Sequence, residues 1–253
     1  MAGASILAPV ATQMLVILCH PDDISALWLH RELSAAGVSA TLVSVEQLVF
    51  SRSITHVLTG TADTGTIRLA DNRVLHPDAI TGLINRVRFV PTQHFNNAAP
   101  GDREYATAEL HAFLLAWLNG IAARVLNPAR PPLLGGGVTD VAAIQHYAAT
   151  AGLPTLPWRH STRRAGLVSP AATAAAPTHV VTVLDGRVFG PIIPTDFAGG
   201  CCRLAAYLGT PLMQVAFSRS TSGAWRFLHA TPLVDFERGG RPLAAAIARA
   251  VAA

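Results

Sequence analysis

The chain has 253 residues, of which 51% are hydrophobic and only 13% are charged. This length and composition are typical of a folded globular protein with a sizeable core, and they exclude an intrinsically disordered chain. No apolar run reaches the roughly 18 residues of a membrane-spanning helix, and residues 1–13 contain no basic residue that would indicate a secretory signal. A cytoplasmic protein without a disulfide framework is therefore expected, since the chain has three cysteines.

Lysine is absent from the sequence, so all 19 residues counted as Lys+Arg are arginine. This absence excludes every mechanism that needs a lysine, including Schiff-base chemistry and phosphate binding by a P-loop. No basic run interleaved with aromatic residues is present, so a nucleic-acid partner is not expected.

The N-terminal part of the chain alternates strand and helix patterns. Residues 14–19 are an apolar run of strand length, residues 24–37 have helical spacing that ends at a glycine, and residues 38–45 alternate as a second strand. This order predicts a parallel sheet with a Rossmann-like turn, which places the loop after the first strand where ligands bind in open α/β sheets. Residues 82–87 are predicted to form another strand, and residues 103–123 a helix with Asp102 as its N-cap. Together these elements predict a domain over residues 14–128.

The C-terminal part follows a linker rich in proline and glycine at residues 128–137. Helices are predicted at residues 140–151, 199–208 and 241–253. Asp185-Gly186 is a favourable two-residue turn, which predicts a hairpin of residues 179–184 and 187–189. Residues 212–217 and 224–229 are predicted to form paired strands. These elements predict a second domain over residues 129–253.

Several short motifs resemble, in chain order, the ATP-grasp superfamily, and specifically its carboxylate–amine ligases of the ribosomal-protein glutamate-ligase type. The motifs are INR at 84–86, VLNP at 125–128, AGLPTLP at 151–157, RLAAYLGTPLMQVAF at 203–217 and WRFLHATP at 225–232. The resemblance implies an α/β protein with an ATP-grasp-like architecture. In this architecture a Rossmann-like N-terminal domain precedes a truncated C-terminal ATP-grasp subdomain that lacks the lid.

Three departures from the family pattern concern phosphoryl transfer. The Asp, Glu and Asn that bind Mg²⁺ in the family match Ala216, His229 and Thr231, which we interpret as vestigial metal positions. The phosphate-binding lysines have no counterpart, and residues 159–180 are too few for the β-rich lid. The resemblance therefore implies a degenerate, non-catalytic protein without a cofactor or a metal, which acts as a binding or partner subunit. An active ATP-grasp-type ligase that holds phosphate with arginine is the alternative hypothesis.

The expected partners follow from the surviving cleft between the two predicted domains. They are a peptide or protein, or a small molecule that carries a carboxylate. A homodimer is compatible with the sequence, whereas a membrane partner is not expected.

The sequence MLVILCHPDD at 14–23 also resembles the opening of the zinc-dependent N-acetylglucosaminyl deacetylases, whose first strand ends in HPDDE. This resemblance implies a zinc-dependent hydrolase in which His20 and one aspartate bind the metal and the other aspartate acts as base. Ile24 replaces the family's glutamate, and no HxDH string follows. The alternative is structural, because Asp22 or Asp23 near a helix N-terminus is favoured by the helix dipole.

The remaining candidates lie at predicted strand ends or at a helix start. Arg86 either clamps a ligand carboxylate bidentately or forms a salt bridge with Asp102 or Glu104. Residues 102–104 either contact substrate at the mouth of the cleft or serve as a helix cap and first-turn acids. No catalytic residue is assigned. The candidate cleft residues are His20, Asp22, Asp23, Asn85, Arg86, Arg88, Asp102, Arg103, Glu104 and His229.

Overall fold

The computed structural model describes residues 14–58, 63–137, 140–156 and 177–252. Its N-terminal elements are β1 (Met14–Cys19), α1 (Ile24–Ala35), β2 (Ala40–Ser44), α2 (Val45–Val49), β3 (Ser53–Leu58), β4 (Asp63–Arg68), β5 (Val74–Leu75), β6 (Ile80–Asn85), α3 (Pro100–Asn119) and β7 (Arg124–Leu126). Its C-terminal elements are α4 (Val141–Thr150), β8 (His179–Leu184), β9 (Arg187–Phe189), α5 (Thr195–Leu208), β10 (Leu212–Arg219), β11 (Trp225–Thr231) and α6 (Phe236–Ala252).

The N-terminal elements form a parallel sheet in the order β2-β1-β6-β7, next to a small antiparallel sheet of β3, β4 and β5. The βαβ opening and the parallel pairing predicted from the sequence are confirmed. Helix α1 is followed by Gly37 with a positive φ of 77°, as expected for a glycine just after a helix. The predicted cap of α3 is wrong: Ala99 is the N-cap and Asp102 lies in the first turn, because Pro100 is favoured at the first helical position.

The C-terminal elements form an antiparallel sheet in the order β11-β10-β8-β9. The predicted hairpin turn is confirmed, since Asp185 and Gly186 both have positive φ angles, as a tight two-residue turn requires. Helices α4 and α5 pack on one face of this sheet around a core that includes Leu204 and Phe217. Helix α6 begins at Phe236 and has a non-helical residue at Gly240, so its second segment matches the helix predicted from residue 241.

One hydrophobic core crosses the predicted boundary at residues 128 and 129. Ile17 of β1 and Leu29 of α1 belong to the same buried cluster as Leu184 of β8 and Leu243 of α6. Helix α6 thus packs against the N-terminal sheet, and the division into 14–128 and 129–253 stays a proposal. Most of residues 159–180, where the lid was expected to be missing, lies outside the described residues. None of the described helices is long and apolar enough to cross a lipid bilayer.

Candidate functional site

The carboxyl ends of β1 and β6 lie side by side in the N-terminal sheet. Leu18 pairs with Asn85, and the backbone N–H of Arg86 donates to the carbonyl of Leu18 at 2.9 Å. This pairing brings the HPDD loop next to residues 85–88, at the edge of the sheet where open α/β proteins bind ligands. Six of the sequence candidates therefore meet in one place: His20, Asp22, Asp23, Asn85, Arg86 and Arg88.

A buried ion pair joins Asp23 to Arg86. Arg86 donates from Nε to Oδ2 of Asp23 at 2.8 Å and from Nη2 to Oδ1 at 2.9 Å, and its Nη1 donates to the carbonyl of Val234 at 2.8 Å. The guanidinium also lies 4.6 Å from the centre of the Phe236 ring. The predicted salt bridge to Asp102 or Glu104 is therefore wrong, and the carboxylate that Arg86 clamps belongs to the protein itself.

Asp23 has a second structural role as the N-cap of α1, where its Oδ1 accepts from the backbone N–H of Ala26 at 3.0 Å. Burial alone would raise the pKa of this carboxyl. The hydrogen bonds and positive charge of Arg86 outweigh burial, with the Ala26 N–H adding to them, so the pKa of Asp23 is lowered. Asp23 is thus held as a carboxylate at neutral pH.

His20 is buried, and both of its ring nitrogens are engaged. Its Nε2 accepts from the backbone N–H of Arg88 at 3.1 Å, so the proton lies on Nδ1, which donates to Oε1 of Glu46 at 3.1 Å. The ring also stacks on Phe89 with a centroid distance of 4.4 Å. With the oxygens of Asp23 held by Arg86, this arrangement provides no zinc ligands. Among the described residues, no group of three His, Cys, Asp or Glu side chains could hold a metal ion.

Two buried asparagines connect this site to the C-terminal half. Asn85 donates from Nδ2 to the carbonyls of Asn127 at 2.9 Å and Leu134 at 2.6 Å. Asn127 in turn donates to the carbonyl of Pro232 at 3.1 Å and accepts from the N–H of Leu212 at 3.2 Å. The end of β6 is therefore fixed by hydrogen bonds to loops of both halves. Sequence reasoning missed the role of Asn127, although it lies within the VLNP motif.

Substitution Asn85→Ala tests this junction. It leaves two buried carbonyls without a donor, so we expect the free energy of unfolding to fall by about 2–3 kcal/mol. Urea denaturation measures the change, and the control Asn97→Ala alters an exposed asparagine that should cost almost nothing. An Asn85→Ala protein as stable as the control would contradict the role assigned to this side chain.

A pocket of about 230 Å³ lies between the residues that follow β6 and those that follow β11. We call it the interlobe cleft. Its lining includes Arg88, Phe89, Gly135, Thr231 and Leu233. Its volume is below the roughly 300 Å³ at the lower end of small-molecule pockets.

The wall of the interlobe cleft depends on the glycines that the sequence placed in a linker. A Cβ atom added to Gly135 would lie 2.0 Å from the carbonyl oxygen of Val87, and one added to Gly136 would lie 2.7 Å from that of Pro128. Only glycine allows this close approach of two backbone segments. The run of three glycines was the sequence signal for this wall, which the sequence analysis interpreted only as part of a linker.

The acidic and basic residues at the start of α3 do not join the site. Asp102, Arg103 and Glu104 are exposed, and in the described part of the chain their side chains have no ion-pair partner. In the interlobe cleft, by contrast, the charged side chain is Arg88, whose partner Asp22 lies on the surface. Of the two interpretations left open for residues 102–104, the structure favours first-turn residues of a helix.

The positions that the resemblance assigns to Mg²⁺ do fall on neighbouring strands. Ala216 of β10 lies opposite His229 of β11, and Thr231 ends the same strand. Their donor set is a methyl group, an imidazole and a hydroxyl that already accepts from the N–H of Leu233 at 3.1 Å. Desolvation lowers the pKa of His229, although part of its side chain is exposed, so the neutral ring is favoured. Mg²⁺ needs several oxygen ligands, and these residues do not fit it.

No family model matches the sequence, and no curated protein matches it. Solved structures nevertheless share its fold. The macrocyclase MdnB from Microcystis aeruginosa MRC is 14% identical, with a TM-score of 0.66 over 95% of this chain and 98% of that one. The macrocyclase MdnC from the same organism, bound with the precursor peptide MdnA, is 12% identical, with a TM-score of 0.67 over 94% and 99%.

A third similar structure is the RiPP-associated ATP-grasp ligase of Chryseobacterium gregarium, in complex with ADP and with a leader and core peptide. It is 9% identical, with a TM-score of 0.64 over 95% of this chain and 96% of that one. At such identities the likeness concerns the fold. The protein is an α/β protein with the ATP-grasp fold, as the motifs in its sequence predicted.

Proposed function

We propose that this protein is a peptide-binding subunit with an ATP-grasp fold that does not carry out phosphoryl transfer. The observation that carries the proposal is the donor set at Ala216, His229 and Thr231, which does not suit Mg²⁺. Phosphoryl transfer depends on metal ions and cationic groups that neutralise the phosphates. A chain without lysine and with these replacements lacks the usual means of doing so.

A peptide ligand is supported by the form of the interlobe cleft. Apolar side chains such as Phe89 and Leu233 line it together with the backbone around Gly135, which suits one side chain of a bound peptide. Among the residues from 14 to 252 that the structure describes, the guanidinium of Arg88 at the rim pairs with the exposed Asp22 alone, so it retains N–H groups for a carboxylate. Several similar structures hold peptides: MdnC holds a precursor peptide, and the Chryseobacterium ligase holds a leader and core peptide. We infer a role within a peptide-modifying system.

Calorimetry with a non-hydrolysable ATP analogue and Mg²⁺ tests the non-catalytic part of the proposal. We expect no heat beyond dilution at millimolar nucleotide, and no release of ADP from ATP with or without peptide, because no metal ligands converge among the described residues. Binding with a micromolar Kd, or release of ADP by the purified protein, would favour the alternative of a ligase that uses arginine for phosphate.

Selection of displayed peptides against the intact protein tests the binding part. Peptides that bind in the interlobe cleft should lose affinity at least tenfold for the variant Leu233→Trp, because the larger side chain fills the pocket. The matched control Ile192→Trp adds the same ring at a residue that is 95% exposed and should change nothing. Equal affinity for both variants would contradict peptide binding in the cleft.

A further inference from the structure

A second pocket lies at the tip of the β10–β11 hairpin and shares no lining residue with the interlobe cleft. It has a volume of about 370 Å³ and is formed by the end of β10, the start of β11 and residues 154–156. Residues 154–156 run beside β11 because the N–H of Phe227 donates to the carbonyl of Pro154 at 2.8 Å. We call this the hairpin pocket.

Of the described residues, two arginines line the hairpin pocket and no carboxylate does. The Nε of Arg219 donates to the carbonyl of Gly223 at 3.4 Å, and its guanidinium lies 5.5 Å from the centre of the Trp225 ring. Within the described part of the chain, the side chain of Arg226 has no hydrogen-bond or ion-pair partner. The positive charge of the pocket is therefore not neutralised by any neighbouring group that the structure describes.

The sequence of this part of the chain is also more basic than acidic. Residues 129–234 contain eight arginines and only three aspartates. Each aspartate lies elsewhere: Asp140 caps α4, Asp185 pairs with Arg124, and Asp196 lies in the first turn of α5. A cavity with unpaired cations and no counter-charge concentrates anions from solution.

The rest of the lining combines hydroxyl groups with apolar surface. Ser218 and Thr155 provide hydroxyl groups, and Leu156 and the indole of Trp225 provide apolar area. The Trp225 ring is held in place by its neighbours, because His179 lies 4.5 Å away and the rings of Phe197 and Phe217 each lie 6.0 Å away, centre to centre.

We propose that the hairpin pocket binds the carboxylate of an acidic peptide segment. Arg219 and Arg226 hold the carboxylate through charge-assisted hydrogen bonds, and the apolar part of the lining contacts the neighbouring side chain of the peptide. The proposal adds a second contact point to the peptide-binding function proposed above. The experiment below can contradict binding in the hairpin pocket without contradicting binding in the interlobe cleft, and the reverse.

Fluorescence anisotropy of the full chain with a labelled, acetylated six-residue peptide of alternating glutamate and leucine tests this site. We expect Arg219→Gln and Arg226→Gln each to weaken binding about tenfold, and the double variant about a hundredfold, through loss of the charged contacts. The control Arg249→Gln removes the same charge from an exposed position on α6 and should leave binding unchanged. Urea denaturation establishes that each variant is folded.

Three outcomes would overturn the proposal: equal binding of the matched glutamine peptide, wild-type affinity of the double variant, or preference for a thymidine oligonucleotide over the peptide at the same salt concentration. The variant Leu233→Trp separates the two sites. Retained binding in this variant supports the hairpin pocket. Loss of binding in Leu233→Trp together with full binding in the double arginine variant would place the peptide in the interlobe cleft. That result would contradict the hairpin-pocket proposal and leave the proposed function intact.

Discussion

Replacing Arg86 by methionine is expected to lower the free energy of unfolding by about 3–5 kcal/mol, measured by urea denaturation at neutral pH. The side chains of Arg86 and Asp23 are only 6% and 7% exposed, so the variant keeps a buried carboxylate without its cation. Two further interactions of the guanidinium, with the carbonyl of Val234 and the ring of Phe236, are lost with it.

The matched control is Arg238→Met, which removes an exposed ion pair with Asp235. Exposed pairs contribute little, and we expect a change below about 1 kcal/mol. If both variants lost the same small amount of stability, the buried Asp23–Arg86 pair would contribute no more to the free energy of unfolding than an exposed pair does, and the prediction would be wrong.

The same ion pair gives stability a defined pH dependence. The pKa of Asp23 is lower in the folded chain than in the unfolded chain, so its contribution is present above the unfolded value of about 3.9. The contribution is lost as the pH falls through the folded value, below about pH 4. The wild type should therefore lose more stability on acidification than Arg86→Met does.

Replacing Gly135 by alanine is expected to cost more than about 3 kcal/mol and to abolish peptide binding in the interlobe cleft. The added Cβ would lie 2.0 Å from the carbonyl oxygen of Val87, and a backbone atom cannot turn away as a side chain can. The loop must then move, and with it the wall of the cleft. Urea denaturation and peptide affinity measure the two effects.

Gly101→Ala is the matched control for this substitution. A Cβ at Gly101 would have no neighbour within 4 Å, and alanine in the first turn of α3 favours the helix. This variant should be neutral or slightly stabilised and should bind peptide like the wild type. A Gly135→Ala protein that behaved in the same way would mean that the loop can move without cost.

The local part of the fold was predictable from sequence. The apolar run at 14–19, the helix ended by Gly37 and the turn at Asp185-Gly186 each depend on neighbouring residues alone. The position of the HPDD loop at a strand end was also predictable, because every parallel strand must end in a loop at this edge of the sheet. Hydrophobic periodicity and turn-forming residues are enough to predict such local features.

The partner of Arg86 was not predictable, because it depends on which strands lie next to each other. Asp23 is separated from Arg86 by most of the N-terminal sheet in sequence, yet the pairing of β1 with β6 places them in contact. Asp102 and Glu104 are nearer in sequence but lie at the exposed start of α3. Spacing along the chain contains no information on strand order, and the same limit hid the contact of Gly135 with Val87.

The hydrogen bonds of Arg86, Asn85 and Asn127 join the two halves of the chain, and this affects how a ligand can bind between them. Swinging the halves apart would pull Arg86 from the Val234 carbonyl and Asn127 from Pro232 and Leu212. Such a rearrangement would expose a charge and several amides at once, so we expect the interlobe cleft to keep its width when a ligand binds. A ligand would then bind to a preformed site, and little of its binding free energy would be lost to conformational change of the protein.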